Sequence, residues 1–189
     1  IVNRITENKH VYSLQANEIL NQLRSYIIQS LHQDKDSSES KDGIDIALTI
    51  IDFDNKKIQF SGAHNSLILI RDNELIEKKA DRMPVAIHKK ADQSFTNHEL
   101  DIKDNDMIYL FSDGYPDQIG GPKGRKFMAR KFKNLLFDIH QKPMEEQRQI
   151  LNEKYEEWKN GYQQLDDILI IGTRLKTAQK PKLTQKSSD

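Results

Sequence analysis

The amino-acid sequence predicts an α+β fold built on antiparallel sheet. Apolar residues first recur at three- and four-residue spacing, which is typical of an amphipathic helix. After Gly43 the pattern changes to β-rich runs joined by short polar turns, and strands joined in this way pair antiparallel. Helical spacing then returns before one last β-rich run. Helices and strands therefore occupy separate blocks of the chain, as they do in α+β proteins.

The composition limits the classes of function. The chain has 189 residues, enough for one domain with a core, and Lys+Arg and Asp+Glu are both 29. A chain-wide basic field for nucleic acid is therefore excluded. The absence of cysteine excludes disulfides, thiolate metal sites and cysteine nucleophiles, and it fits a cytoplasmic location. The longest apolar runs have the length of a strand, so we expect no membrane span.

The first predicted element is a helix over residues 14–32, with Ser13 as its N-cap. Residues 33–42 contain no apolar side chain and predict a loop. The chain begins at Ile1 with apolar residues already recurring and without an initiator Met, so we expect further residues upstream. The predicted buried stripe of the helix consists of Ala16, Ile19, Leu20, Leu23, Ile27 and Leu31.

The middle of the chain predicts six strands that form three successive hairpins. Asp-Asn pairs at 54–55 and 72–73 and the polar turn 103–106 separate the two strands of each hairpin. The six predicted strands are 44–53, 57–60, 66–71, 74–79, 94–100 and 107–111.

The last third of the chain predicts two helices and a final strand. The helices cover 126–139 and a segment from Pro143 to Trp158, where proline suits the first turn. Residues 168–172 are apolar on both faces, so we expect this strand at the centre of a sheet. Residues 176–189 form a polar tail that cannot supply a core, and we predict that this tail is disordered.

Carboxylates lie at the end of one predicted strand and at the start of another. Asp113 directly follows strand 107–111, and Asp166 and Asp167 precede the final strand. If these strands are antiparallel neighbours, Asp113 and Asp166 converge at one rim of the sheet, with Asp117 and Asp167 behind them. Clustered carboxylates repel one another unless a cation is present, and hard oxygen ligands suit Mg²⁺ or Mn²⁺. The alternative is that Asp113-Gly114 is a turn and Asp166-Asp167 a solvated strand entry.

Five segments, taken in order, resemble one family. Over residues 1–175 the chain is similar to the SpoIIE/RsbU-type serine phosphatases, the bacterial branch of the metal-dependent PPM (protein phosphatase 2C-like) family. Phe111-Ser112-Asp113-Gly114 with a later Asp-Asp pair is the more specific part of the resemblance. The segments are Asp42-Gly43-Ile44-Asp45-Ile46-Ala47-Leu48, Gly62-Ala63-His64-Asn65, Met83-Pro84, Ser112 to Gln118, and Asp166-Asp167-Ile168-Leu169.

The resemblance implies a fold and a chemistry. The fold is an antiparallel β-sandwich flanked by helices, in the order α-β-β-α, and the centre holds two Mn²⁺ or Mg²⁺ ions that serve the hydrolysis of phosphoserine or phosphothreonine. Asp113 and Asp166 match metal ligands in the family. Asp117 and Asp167, with Gly114, match positions beside the centre, where the acids hold metal-bound water or a weaker metal.

Two further segments could border such a site. His64 and Asn65 form a candidate substrate loop, although hydrogen bonding that shapes the loop is the alternative role for His64. The glycine-rich segment 120–124 predicts a flexible flap, and the adjacent Arg125 and Lys126 could meet an anionic substrate. A solvated basic loop is the simpler alternative for these two cations.

Part of the family pattern does not occur in this chain. An early acidic strand motif and an Asp-x-Thr-Gly-His-Gly segment, whose Asp bridges both metals, are both absent. We expect them upstream of Ile1, which makes residues 1–175 the C-terminal portion of a domain that lacks its N-terminal part. On its own, the chain is then expected to be inactive.

The resemblance also implies partners. The substrate would be a phosphoprotein such as an anti-sigma-factor antagonist with a STAS-like domain, and a sensor domain would precede the phosphatase. Nucleic acid is not among the expected partners. Two other classes of function remain open, a non-catalytic phosphatase-like module that binds a partner protein and a plain α+β interaction domain.

Overall fold

The computed structural model describes residues 14–31 and 43–176, so Ser13, the predicted loop 33–42 and nearly all of the predicted tail lie outside the described residues. The elements that position the site are two sheets and three longer helices. In chain order they are α1 (Ala16–Ser30), β1 (Ile46–Asp52), β2 (Lys57–Ala63), β3 (Leu67–Arg71), β4 (Glu74–Lys78), β5 (His98–Asp101), β6 (Met107–Phe111), α2 (Gly114–Asp117), β7 (Ile119–Gly120), β8 (Arg125–Lys126), α3 (Ala129–Ile139), α4 (Met144–Lys159) and β9 (Ile170–Arg174).

The architecture is a sandwich of two antiparallel sheets between helical layers. One sheet has the strand order β1-β2-β5 and the other the order β4-β3-β6-β9. Their facing sides share a core, to which Phe60 contributes from the first sheet and Ile108 from the second. Helix α1 packs on the outer face of the first sheet, and α3 and α4 pack on the outer face of the second. The predicted α+β class and the α-β-β-α order are therefore confirmed.

Helix α1 is shorter than the sequence predicts. It begins at Ala16 and ends at Ser30, with Gln15 at the N-cap position. The backbone N–H of Gln15 donates to the carboxylate of Glu18 over 2.7 Å, which satisfies a backbone donor at the helix start. Leu20 and Ile27 then bury one face of the helix against the first sheet.

The predicted third hairpin does not exist. Strand β5 pairs with β2 in the first sheet, whereas β6 pairs with β3 and β9 in the second, so the turn between them crosses the sandwich. Asp106 lies in this crossing with 1% of its surface exposed and accepts two hydrogen bonds from Arg71, at 2.8 and 2.6 Å. Local turn residues predict a hairpin, but this buried ion pair fixes a crossing between sheets.

Strand β5 and helix α3 both begin later than predicted. Before β5, the backbone N–H of Phe95 donates to the side chain of Asn21 over 3.1 Å, so this segment packs on α1 instead of joining the sheet. Lys126 belongs to β8 and not to a helix. Met128 follows β8, and its N–H donates to the carbonyl of Pro116 over 2.8 Å. Helix α3 therefore starts only at Ala129.

Among the described strands, β9 lies at an edge of its sheet and not at the centre as predicted. A central position is predicted because the strand has apolar residues on both faces. In the structure, however, the two faces differ in burial. Ile168 and Ile170 are partly buried against the core of the α3/α4 layer, whereas Leu169 and Ile171 are 59% and 52% exposed. Over residues 14–31 and 43–176, no helix is long and apolar enough to cross a membrane.

Candidate functional site

The end of β6 and the start of β9 meet at one rim of the second sheet. The two strands are antiparallel neighbours, with Phe111 opposite Ile170. Beyond this pair, the Ser112 hydroxyl donates to the carbonyl of Asp167 over 2.9 Å and accepts from the N–H of Leu169 over 3.0 Å. The two strands are therefore antiparallel neighbours, which is the condition for the predicted convergence of Asp113 and Asp166; the convergence of the two side chains stays a prediction.

Asp113 is exposed at the point where β6 passes into the short helix α2. Its carbonyl accepts a hydrogen bond from the N–H of Asp117 over 2.9 Å, which closes one helical turn. Gly114 is buried directly against the opposite segment, where a Cβ atom would collide with the carbonyl of Asp167. Glycine at position 114 therefore allows the Asp113 segment to approach the Asp167 segment closely.

Two of the other three acidic residues, Asp117 and Asp166, already have partners. The Asp117 carboxylate accepts a hydrogen bond from the ammonium of Lys126 over 2.7 Å. One carboxylate oxygen of Asp166 accepts the backbone N–H of Asp167, also at 2.7 Å. Both acids remain exposed or partly exposed, so the interactions leave other oxygen lone pairs open to solvent.

Asp45 is a further member of this acidic group, and the sequence pattern alone does not select it as a site residue. It precedes β1 in the first sheet, and its pKa is raised by partial desolvation and by the nearby charge of Asp113, while His64 acts in the opposite direction. Asp113 is therefore one of the charges that act on Asp45, after desolvation and His64. In the sequence, Asp45 is only an acid near the start of predicted strand 44–53, and nothing in the local spacing relates it to Asp113.

The candidate substrate loop lies next to Asp45. His64 is exposed and has a left-handed backbone with φ of 61°. Its N–H donates to the carbonyl of Asp81 over 3.0 Å, and the N–H of Asn65 donates to the carbonyl of Ala63 over 2.7 Å. These bonds shape a tight turn and hold it against the 81–87 segment. A contact of His64 or Asn65 with substrate stays a prediction.

The described carboxylates do not form a metal centre by themselves. Within the ranges 14–31 and 43–176, no group of three or more His, Cys, Asp or Glu side chains could hold a metal ion. The donors near the rim are carboxylate oxygens, which suit Mg²⁺ or Mn²⁺, but they are too few for an octahedral site without many water ligands. The roles of Asp113 and Asp166 as ligands, and of Asp117, Asp167 and Gly114 beside them, stay predictions.

A separate cavity of about 600 Å³ lies between α4 and β9. Its lining includes Tyr109, whose hydroxyl donates to the side chain of Gln147 over 2.6 Å, together with Leu151 and Ile170. None of the rim carboxylates described above lines it. The candidate site is therefore the open rim of the sandwich and not this cavity.

Comparison with known proteins assigns the chain to a family. The family model described as "Stage II sporulation protein E (SpoIIE)" matches residues 5–176. No curated protein matches the chain. Among solved structures, the SiaA-PP2C domain of Pseudomonas aeruginosa is 26% identical, with a TM-score of 0.74 over 85% of this chain. The chain spans 61% of the length of that domain.

Two further structures share the fold at lower identity. The phosphatase domain of SpoIIE from Bacillus subtilis is 14% identical, with a TM-score of 0.58 over 89% of this chain and 77% of its own. The RsbU and RsbW domains of Rv1364c from Mycobacterium tuberculosis are 14% identical, with a TM-score of 0.65 over 90% of this chain and 44% of their own. Since the family model covers most of the sequence, the chain belongs to the SpoIIE family of PPM-type phosphatase domains.

Proposed function

We propose that the complete domain containing this chain hydrolyses phosphoserine or phosphothreonine in a protein substrate, with two Mn²⁺ or Mg²⁺ ions as cofactors. The observation that carries the proposal is the meeting of the Asp113 segment with the Asp166-Asp167 segment at the rim of the sandwich, in a chain of the SpoIIE family. Asp45, which precedes β1 of the other sheet, is a further candidate carboxylate in this proposal.

The described residues supply only part of what such ions need. Divalent metal ions in phosphatases lower the pKa of a bound water and neutralise charge on the phosphoryl group. Three or more ligating side chains do not come together in the described part of the chain, so further carboxylates must complete the centre.

The chain's own residues position the rim. Ser112 ties the end of β6 to the start of β9 through two hydrogen bonds, and this fixes the backbone from which Asp113 extends. Lys126 compensates the charge of Asp117 and thereby limits repulsion within the acidic group. The turn at His64, which is exposed, and Asn65, which is partly buried, is proposed to contact the substrate.

The proposed substrate is a phosphorylated anti-sigma-factor antagonist of the STAS-like class, in a cytoplasmic partner-switching system controlled by an upstream sensor domain. The support is the family and the likeness to a structure that contains RsbU and RsbW domains.

A non-catalytic phosphatase-like module is the second candidate function. The lack of a three-ligand metal group among the described residues favours it. In that case, the same rim would bind a phosphoprotein or another partner without hydrolysing it.

Phosphate release from a phosphorylated STAS-domain protein distinguishes the two functions. The complete domain is assayed with Mn²⁺, with Mg²⁺ and with EDTA. Metal-dependent release that EDTA abolishes is the expected result, and an Asp138→Asn variant is the control because Asp138 is an exposed carboxylate on α3. Binding of the phosphoprotein without any release would instead support the non-catalytic module.

A further inference from the structure

Positive charge is concentrated in one segment of a chain whose net charge is zero. Residues 118–137 contain six Lys or Arg residues and no Asp or Glu. This segment begins directly after Asp117 and includes the β7–β8 hairpin and most of α3. In sequence, the acidic residues that end at Asp117 are therefore followed directly by a strongly basic part of the described chain.

Three of the six cations have partners within the described chain. Lys126 pairs with Asp117 at 2.7 Å, Lys133 pairs with Glu77 at 2.7 Å, and the ammonium of Lys131 lies 3.8 Å from the centre of the Trp158 ring. The other three cations are exposed and form no ion pair with a described residue. Together with the exposed Met128 they make up the basic surface, which consists of Lys123, Arg125, Met128 and Arg130.

Hydrogen bonds fix the position of the basic surface beside the rim. Gly121 N–H donates to the carbonyl of Trp158 over 2.7 Å, and the indole N–H of Trp158 donates to the carbonyl of Gln118 over 3.1 Å. Phe127 N–H also donates to the carbonyl of Gln118, at 3.0 Å. The hairpin predicted as a flexible flap is thus bonded to the end of α4 and to the chain that follows Asp117. Its cations keep a defined position relative to the rim.

The basic surface carries a local cost in stability. Helix α3 has no acidic residue in its first turn, where Arg130 instead lies at the positive end of the helix dipole. Met128 has φ of 81°, a region unfavourable for a residue with a side chain, and is 59% exposed. An exposed place that violates both the charge preference of a helix start and the backbone preference of a residue with a side chain is typical of a functional surface.

We propose that the basic surface docks an acidic segment next to the phosphorylated residue of the protein substrate. The inference rests on the proposed function of the rim and adds the chemistry of its partner. Arg125 and Arg130 suit carboxylates because guanidinium groups bind them through paired hydrogen bonds. A nucleic acid fits less well, because its continuous phosphate chain would meet the exposed carboxylates of Asp113 and Asp166.

The test measures binding and not turnover, so it is independent of the metal centre. A fluorescent, unphosphorylated peptide rich in Asp and Glu is titrated with the 189-residue chain at low and at physiological salt, with fluorescence anisotropy as the readout. Arg125→Glu combined with Arg130→Glu is expected to raise the Kd about tenfold, and added salt is expected to weaken wild-type binding. Arg130→Glu puts a negative charge at the positive end of the α3 dipole, so the variant should keep its Tm.

A charge-matched control separates docking from net charge. Lys56→Glu combined with Lys176→Glu changes the net charge equally, but both residues are exposed at the opposite end of the sandwich, and the Kd should not change. The proposal is overturned if the wild-type chain does not bind the acidic peptide, if the control weakens binding equally, or if single-stranded DNA or phosphatidylserine vesicles bind more tightly through the same arginines. An inactive complete domain with intact peptide binding would refute only the proposed hydrolysis.

Discussion

At the scale of single residues, the candidate site draws acids from two sheets. The backbone contacts that fix the position of each acid differ greatly between them. Asp113 extends from a backbone held by Ser112 and closely packed at Gly114, whereas Asp45 is identified by the electrostatic effect that it shares with Asp113 and His64. Asp117 is already neutralised by Lys126. Asp113 is therefore the acid at which a loss of charge should be most informative.

Asp113→Asn in the complete domain should lower the Mn²⁺-dependent phosphatase rate by about 10²–10³-fold, comparable to the removal of another preorganised electrostatic group. The metal-free Tm should stay the same or rise slightly, because repulsion with Asp45 is relieved. The measurements are phosphate release at saturating Mn²⁺ and a thermal melt without metal. A normal rate would make Asp113 a turn residue, and a collapse of both rate and Tm would make its role structural.

At the scale of elements, glycines and one buried ion pair fix the connections that the strand pattern leaves undetermined. Gly120 packs so closely on the end of α4 that an added Cβ atom would collide with the carbonyl of Trp158. Arg71 and Asp106 hold the crossing from β5 to β6 between the sheets. Each of these features can be tested by a substitution with a matched control.

Gly120→Ala should destabilise the chain by about 3 kcal/mol, because the neighbour that must move is backbone and cannot rotate away. Gly161→Ala is the control, since nothing lies within 4 Å of its added Cβ and only the cost of φ at 84° remains, about 1 kcal/mol. Urea denaturation measures both. Equal losses for the two variants would show that the packing of the hairpin on Trp158 contributes no stability.

Arg71→Met should cost about 3 kcal/mol, because it leaves the Asp106 carboxylate buried without its charged partner. Lys154→Met removes the exposed pair with Glu157 and should cost less than about 1 kcal/mol. Chemical denaturation of the two variants provides the comparison. A loss for Arg71→Met no larger than the control's would contradict the view that this pair fixes the crossing.

The strand pattern predicts most elements within a few residues, because alternation and short polar turns are local signals. It does not predict which sheet receives β5 and β6, since this depends on Arg71, which lies far from Asp106 in sequence. Asp113 and Asp166 are predicted as neighbours because both flank apolar strands. Asp45 is not selected, because its closeness to Asp113 requires the stacking of two sheets, which no local spacing reveals.

At the scale of the whole molecule, the described layers are held by three cores, one between the sheets and one beneath each helical layer. This arrangement accounts for a folded chain of modest hydrophobic content, 36% of residues. The acidic rim and the basic surface both lie outside these cores. Folding and the proposed chemistry should therefore respond to different substitutions.

The 189-residue chain on its own should show little or no Mn²⁺-dependent hydrolysis of a phosphoserine peptide, and it should bind Mn²⁺ weakly. The reason is that its described carboxylates provide no group of three or more ligands, so water must fill most of the coordination shell. Phosphate release and calorimetric titration with Mn²⁺ are the measurements. Robust turnover by this chain would show that the active site lies elsewhere in the molecule.

The position of β9 has a consequence for how the chain behaves in concentrated solution. Among the described strands it pairs on one side only, so its other side presents a row of backbone donors and acceptors without a strand partner, next to the exposed Leu169 and Ile171. Such an edge is a template on which any extended polypeptide can add a strand. Colloidal stability of the chain then depends on what lies along β9, and an Ile171→Lys substitution would supply a gatekeeper charge that keeps separate molecules from joining their sheets.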